Sequence, residues 1–370
     1  MIDLLQRLAV ADEAARQAPV ADPRVCELLG WRRIAAQVGA CCHDARAAAA
    51  TVAELPHADR AIIALRHTLA DELRPLETAG DGPPVVAVAD AMALLEQPSP
   101  RRLEGGDLVQ VAGLAEALDR LRGWLLQHRD ELPVWSDAAG QVPGFTGLVG
   151  DLRRCLDRDG HLLDSASPLL ARLRRAAGER EQQVRRSVQQ AMAEAARRGW
   201  TTAGEVTVRG DRFCVPLKSG DKRKLPGIVH DRSQTGQTIY VEPADTVQLA
   251  NDLAEVRLEM AAEETRILLD LNQRVDEAQP ALLAAGELMV LADRVRAGLR
   301  WSEARDARRP ALDADRPLRI HRARHPLLEE ALASSGASVV PLDLALPADR
   351  RVLVISGPNA GGKSVAMKTV

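Results

Sequence analysis

Lysine and aromatic side chains are scarce in this 370-residue chain, and long apolar runs are missing from it. Two Phe, one Tyr and five Trp leave too few rings for an aromatic core, so packing must rest on Ala and Leu, a bias that favours helices packed through aliphatic stripes. No stretch of eighteen apolar residues occurs, which excludes a membrane-spanning helix, and no basic segment followed by an apolar run opens the chain. The cysteines are Cys26, Cys41, Cys42, Cys155 and Cys214, odd in number and without a CxxC pair. That pattern argues against a disulfide scaffold or a metal site and for a reduced, cytoplasmic setting. Charge of one sign is also lacking: 49 basic residues stand against 52 acidic ones, for a net of −3. Nucleic-acid binding, if present, must therefore come from a local patch. Nearly all the basic residues are Arg. The five Lys fall in two clusters, Lys218, Lys222 and Lys224, then Lys363 and Lys368.

The first 140 residues read as helices separated by Pro/Gly breaks at 80–84 (GDGPP) and 96–102 (EQPSPRR). Leu108, Val111, Leu114, Leu118, Leu121 and Leu125 recur at three- and four-residue steps. His43, His57 and His67 are spaced too irregularly for a ligand set and read as ordinary surface or core residues. Residues 165–199 form a long helical pattern that Ser165 or Ser167 can cap, with Pro168 in its first turn and a stripe of Leu169, Leu173, Ala177, Val184, Val188, Met192 and Ala195. The period then changes. Residues 205–218 alternate around Gly210-Asp211, a two-residue hairpin signal, and two further strands are predicted at 227–231 and 237–242. A second long helix is predicted from Pro243 to Glu277, followed by a separate helical segment at 281–310 and short strands from 317 onward. Two long helices joined through a compact β tip read as an arm.

Two motifs carry chemistry. Gly357, Pro358, Asn359, Ala360, Gly361, Gly362, Lys363 and Ser364 match GxxxxGK[ST], with an apolar strand expected at Val352 to Ile355 and a helix expected from Ser364. Such a loop wraps phosphates with backbone N–H groups, Lys363 would neutralise the β- and γ-phosphates, and Ser364 would reach Mg²⁺. The β tip is the second. Between Val206 and Arg232 lie Arg209, Arg212, Lys218, Lys222, Arg223, Lys224 and Arg232 against Asp211, Asp221 and Asp231. A basic tip suits contact with a phosphate backbone, and a solvated hairpin end explains the same charges equally well. His321 and His325 would line a nucleotide pocket or cap a strand, and the sequence alone favours capping.

The sequence SGPNAGGKS with the preceding RARHPLL resembles the ATPase entrance of the MutS mismatch-repair family. The block RGDRFCVPLK…GIVHDRSQTGQTIYVEP looks like its second bacterial branch, the MutS-two endonuclease paralogues, and DGHLLDSASPLLARLRR resembles the segment leading into that branch's lever helix. The likeness covers residues 25 to 370. It implies a mainly α fold with a small antiparallel β clamp between two long lever helices and the start of a P-loop α/β ATPase domain. The expected order is an extension (1–24), helical core (25–164), first lever helix (165–204), clamp tip (205–243), second lever helix and return to the core (244–316), and ATPase entrance (317–370). The resemblance implies ATP and Mg²⁺ as cofactors and His325, Val340 and Pro341 near the adenine. It further implies a homodimer through the ATPase domain, acting on branched or mismatched DNA, on collided ribosomes, or on both, with a C-terminal Smr nuclease domain in the parent protein.

The chain departs from the family pattern in one large respect. Six residues follow Ser364, so a Walker B carboxylate, signature loop and nuclease domain are expected to lie in a longer parent, and this segment is expected not to turn over ATP. Two other readings compete: a non-enzymatic arm that docks on nucleic acid or ribosomal RNA, and a coiled-coil chromosome ATPase. In the last class the phosphate loop precedes the long helices, whereas here it follows them.

Overall fold

The computed structural model describes residues 2–98, 100, 102–201, 205–311, 318–333, 335–347, 349–350, 352–358 and 362–370. Helices dominate. In chain order they are α1 (Asp3–Gln17), α2 (Pro23–Leu28), α3 (Trp31–Gly39), α4 (Ala45–Ala53), α5 (Arg60–Thr78), α6 (Ala89–Leu95), α7 (Gly105–Gln127), α8 (Pro133–Gly140), α9 (Thr146–Cys155) and α10 (Pro168–Arg197). Four strands follow, β1 (Thr207–Arg209), β2 (Arg212–Lys218), β3 (Gly227–Arg232) and β4 (Thr238–Pro243), then the 60-residue α11 (Ala244–Glu303). The chain ends through β5 (Leu318–Ala323), α12 (Pro326–Ala333), β6 (Leu342–Leu346) and α13 (Lys363–Thr369). It divides into two compact units, one of residues 1–97, 113–147 and 278–370, the other of 98–112 and 148–277.

In the first unit the predicted stripe of α7 is inside: Leu114, Leu118, Leu121 and Leu125 are buried, as are Leu69, Leu73, Met92 and Trp135 of the same unit. The Trp135 indole donates to the Leu69 carbonyl at 3.0 Å, so its one polar atom is satisfied in the core. Two buried carboxylates organise the helix starts. Asp44 Oδ1 accepts from the backbone N–H of Arg46 (2.8 Å) and Ala47 (3.1 Å), capping α4. Its Oδ2 accepts from Val88 (2.7 Å) and Ala89 (2.9 Å), which opens α6. Asp293, on α11, in turn accepts from the N–H groups of His43 and Asp44 at 2.8 and 2.9 Å. These are donors that a helix start leaves without partners. Residues 1–24, set apart in the sequence as an extension, contain α1, whose Leu4, Leu8 and Ala15 are buried. Asp12 on α1 meets His57 at 3.0 Å and Arg66 at 2.6 Å.

In the second unit the long stripes of α10 and α11 enclose one face of the four-stranded sheet, whose order is β1-β2-β4-β3 with every pair antiparallel. Val184, Val188, Met192 and Ala195 of α10 and Ala250 and Leu253 of α11 pack on Val215, Leu217, Ile239 and Val241. Each such aliphatic side chain stabilises by about 1.5–3 kcal/mol relative to exposure. The cap of α10 is Ser167, whose Oγ accepts from Leu169 and Leu170 and donates to Glu263 Oε1 at 2.6 Å. Ser165 instead donates to the Arg154 carbonyl. Asn272 is buried and pairs both ways with the Leu103 backbone, accepting at 2.8 Å and donating at 2.9 Å.

Three expectations are corrected. The stripe of α10 starts at Leu170, which is fully buried, and not at Leu169, which is exposed, because residue 170 lies five whole turns before the buried Val188 and 169 is rotated about 100° away from that line. The second long helix does not end at Glu277: α11 runs on through Pro280 to Glu303. A proline removes one hydrogen bond, and burial of Leu282, Ala285, Leu288 and Met289 beyond it outweighs that loss. Val352 to Ile355 join no strand among the described residues and are exposed. A run apolar on both faces is stable as a strand only between paired neighbours, and the described residues supply none for it.

Removing the Asp44 carboxylate strands four donors, two buried and two half-buried, whereas Asp59, the exposed cap of α5, serves two. Asp44→Ala is expected to cost on the order of 3 kcal/mol and Asp59→Ala about 1, measured by urea unfolding; equal costs would contradict the assignment. Glu263 is held down at about 2 by Arg266 and then by Ser167. A depressed carboxylate stabilises above its unfolded value of about 4.3 and loses that contribution as pH falls towards 2. Glu263→Gln should therefore be less stable at neutral pH and lose less stability between about pH 5 and pH 2 than the parent.

Candidate functional site

The β tip begins with the Gly210-Asp211 turn, where both residues take a left-handed conformation (φ 53° and 62°), as a two-residue turn between β1 and β2 requires. At the other hairpin, Gly227 lies against the Glu242 carbonyl so closely that a Cβ would sit 2.1 Å from its oxygen. A register irregularity between Val229 and Asp231 shifts His230 out of the β3 ladder. Its Nε2 meets Glu242 Oε2 at 2.6 Å. Glu242 Oε1 accepts from Arg212 at 3.1 Å, and Arg212 also donates to Asn251 at 2.8 Å. Glu242 is 1% exposed, so a carboxylate stands buried in the tip with two basic partners. Cys214, opposite it on β2, is buried as well; burial and then the Glu242 charge push its thiol up to about 11.

These contacts sort the seven basic residues proposed from sequence. Arg212 answers Glu242. Arg209 pairs with Asp231 at 3.1 Å and lies over the Tyr240 ring at 4.1 Å. Lys224 pairs with Asp221 at 2.8 Å. The remaining four, Lys218, Lys222, Arg223 and Arg232, are exposed, and their side chains form no ion pair among the described residues. Lys218 donates to the Gly199 carbonyl at 2.9 Å, which does not neutralise it. Lys218 and Arg232 stand opposite Thr238 and Ile239 on β4, so both lie at the same end of the sheet. Ser219 to Asp221 form the 3-10 turn that leads to Lys222 and Arg223. Sequence reasoning missed Glu242 as the centre of the tip and Trp200 as a support, its ring 4.9 Å from the Arg198 guanidinium and 5.8 Å from Lys224 Nζ. The one available signal was a glutamate inside the otherwise apolar run TIYVEP.

Asn359, Ala360 and Gly361 of the phosphate-loop motif lie outside the described residues. Of the rest, Gly357 and Gly362 have positive φ (146° and 79°), a conformation that glycine adopts freely. Pro358 is exposed, Lys363 Nζ donates to the Gly357 carbonyl, and Ser364 is exposed in the first turn of α13. His325 is buried at the head of α12, and burial, then Lys368 and Arg33, holds its imidazole below the usual range. Val340 and Pro341 are exposed on the segment before β6. Among the described residues one cluster, Asp157, Asp159 and His161, has the composition of a cation site, with ligand atoms within 4.8 Å of one another. Asp157 is already occupied by the N–H groups of Asp159 and His161 at 2.9 and 2.8 Å, which explains the turn without an ion. Among the described residues no helix is long and apolar enough to cross a membrane.

Fold and tip together define a class: a mainly helical protein with a small antiparallel sheet held between two long helices and loaded with cations at one end. No family model matches the chain. Curated relatives do. The chain is 34% identical over 273 residues to Endonuclease MutS2 of Synechocystis sp., a match covering 72% of this chain and 32% of the relative. It is 34% identical over 268 residues to Endonuclease MutS2 of Brevibacillus brevis (71% and 33%) and 31% identical over 291 residues to that of Clostridium beijerinckii (78% and 36%). The chain belongs to the MutS2 branch of the MutS family. It spans about a third of the length of the curated relatives it matches.

Glu242→Ala leaves Arg212 and His230 without their shared anion and opens the tip. It should cost about 3 kcal/mol. It should also expose Cys214, seen as iodoacetamide labelling that the parent resists; labelling at the parent's rate would contradict the assignment.

Proposed function

We propose that this chain carries the nucleic-acid clamp and the phosphate loop of a MutS2-like DNA-binding ATPase, a dimeric, ATP-switched clamp on branched DNA, on collided ribosomes, or on both. The observation that carries the reading is the set of four uncompensated cations, Lys218, Lys222, Arg223 and Arg232, in a tip whose other basic residues are spent on buried or neighbouring acids. Phosphate backbone is the ligand such a set suits, since contact there needs charge and no base-edge geometry. Rigidity favours the same reading. The strands that carry these cations are fixed by an aliphatic core on one face and by the Glu242 network on the other.

For the nucleotide, the reading assigns Gly357 to Ser364 to the phosphates of ATP, Ser364 to Mg²⁺, and His325, Val340 and Pro341 to the adenine side. Positive φ at Gly357 and Gly362 and the lysine folded over the loop fit a phosphate cradle. ATP would supply binding and hydrolysis energy to the clamp. By the same reading residues 25–164 are the helical core, 165–204 and 244–316 the levers, 205–243 the clamp and 317–370 the ATPase entrance. A second reading, a binding arm without turnover, is favoured by the exposed, unpaired segment Val352 to Ile355. ATP turnover that Lys363→Ala abolishes would exclude it.

The clamp reading is tested by titrating a labelled four-way DNA junction and a ribosomal RNA fragment across salt concentrations. Binding should weaken with salt, and Lys222→Glu/Arg223→Glu/Arg232→Glu should make the log K against log salt slope shallower by about 2–3. Unchanged affinity and slope in the triple variant would refute it.

A further inference from the structure

A second concentration of positive charge lies in the first unit, whereas the tip residues belong to the second. A cleft of about 890 Å³ opens between the carboxyl end of α11, the β5 strand, the start of α12 and the last turn of α13. Six arginines line it against two carboxylates, Asp306 and Glu329. Glu329 is answered by Arg324 at 3.0 Å, and Asp306 lies 3.7 Å from Arg308. Arg319 and Arg322 are exposed and form no ion pair among the described residues. The Arg305 guanidinium carbon lies over the Trp301 ring, 4.6 Å from its centroid, with one N–H directed to Gln37 at 3.3 Å.

The way Arg322 is presented separates this cleft from a chance accumulation of arginine. The β5–β6 register shifts between Ile320 and Ala323, which places one extra residue in β5. Within the bulge Arg322 adopts φ 50°, a left-handed conformation that a long side chain seldom takes. Asp343 holds the bulge by accepting from His321 Nδ1 at 2.7 Å and from the Arg322 N–H at 3.0 Å. A strained backbone fixed by a dedicated carboxylate, with the freed side chain unpaired at the mouth of a basic cleft, is built for an anion. The cleft adjoins the nucleotide assignment, since Pro341, read above as adenine-side, also lines it, so the test must separate a strand from a nucleotide. Thr369 lines the cleft at one end of α13, and Lys363 stands at the other, about 9 Å away at 1.5 Å per residue.

We propose that this cleft is a second nucleic-acid contact, binding the phosphodiester backbone of a single strand through Arg319 and Arg322, with Arg305 and the Trp301 ring beside it offering their planar groups to a base. Arginine forks match phosphate oxygens in pairs, and a guanidinium or an indole presents the kind of flat face on which unpaired bases stack. An acidic peptide would use the charge and leave those planar groups without a role. A nucleoside triphosphate offers the same phosphate chemistry in shorter form.

The test uses the 370-residue chain and a 4-thiouridine RNA of about twelve nucleotides, a length within the site sizes of single-strand binders. Photo-crosslinked peptides are mapped at low salt. Crosslinks are expected on peptides within 305–324. They should persist in Lys222→Glu/Arg223→Glu and fall about tenfold in Arg319→Glu/Arg322→Glu, with the salt slope shallower by about 1–2. Because the tip variant is read separately, loss of the tip reading leaves this result interpretable. Arg319→Gln/Arg322→Gln, which only neutralises, should give an intermediate loss at an unchanged urea midpoint, separating lost contact from lost fold. Absence of crosslinks at 305–324, or crosslinks indifferent to both cleft variants, would overturn the proposal. So would their removal by poly-glutamate as efficiently as by unlabelled RNA, or preferential labelling of the same peptides by an azido-ATP probe.

Discussion

A carboxylate can leave water only where the chain delivers donors to it, and in this protein several buried acids hold elements together on those terms. In the first unit Asp44 and Asp293 accept from the N–H groups of His43, Asp44, Arg46, Ala47, Val88 and Ala89. The starts of α4 and α6 are thereby fixed to α11 through two side chains. Apolar burial alone would let short helices such as α4 and α6 slide, because aliphatic stripes tolerate shifts that hydrogen bonds to a buried anion do not. In the second unit Glu263 joins the cap of α10 to α11, and Glu242 joins β2, β3 and β4.

The same constraint decides which cations face outward. Asp231 and Glu242 each take an arginine as partner in the tip, and the arginines so used, Arg209 and Arg212, are structural. What remains outside is a smaller and more concentrated set than the sequence count. Function in the tip then follows from a difference: the fold consumes the charges it can neutralise and displays those it cannot. The phosphate loop differs in kind, since its described part is positioned by glycine conformations and by Lys363 folding back on Gly357, without a surrounding buried network.

Period and turn chemistry made much of the fold legible. The stripe of α7, the Gly210-Asp211 hairpin, the four tip strands and the capping of α10 were readable because each depends on neighbours in sequence. The failures involve distant partners. Nothing local shows that α11 continues through Pro280, because the apolar surface that compensates lies on elements far away in the chain. A run such as Val352 to Ile355 reads as a strand on composition, yet a strand is defined by its partners. At the site, the basic cluster was visible as a count, while its division into structural and free members was not. That division depends on Asp231, Asp221 and Glu242 being brought beside particular arginines and lysines by the antiparallel register. Trp200 was passed over because a lone tryptophan carries no spacing signal.

The central proposal is that the end of the tip sheet carrying Lys218, Lys222, Arg223 and Arg232 is the surface that meets nucleic acid. Hydrogen–deuterium exchange of the chain with and without a DNA junction tests it directly. The account predicts slower exchange in peptides covering 218–225 and 232–238 on binding, with the loss of that protection at high salt. Binding that left those peptides unchanged while protecting the Gly210-Asp211 turn and other parts of the chain would contradict it.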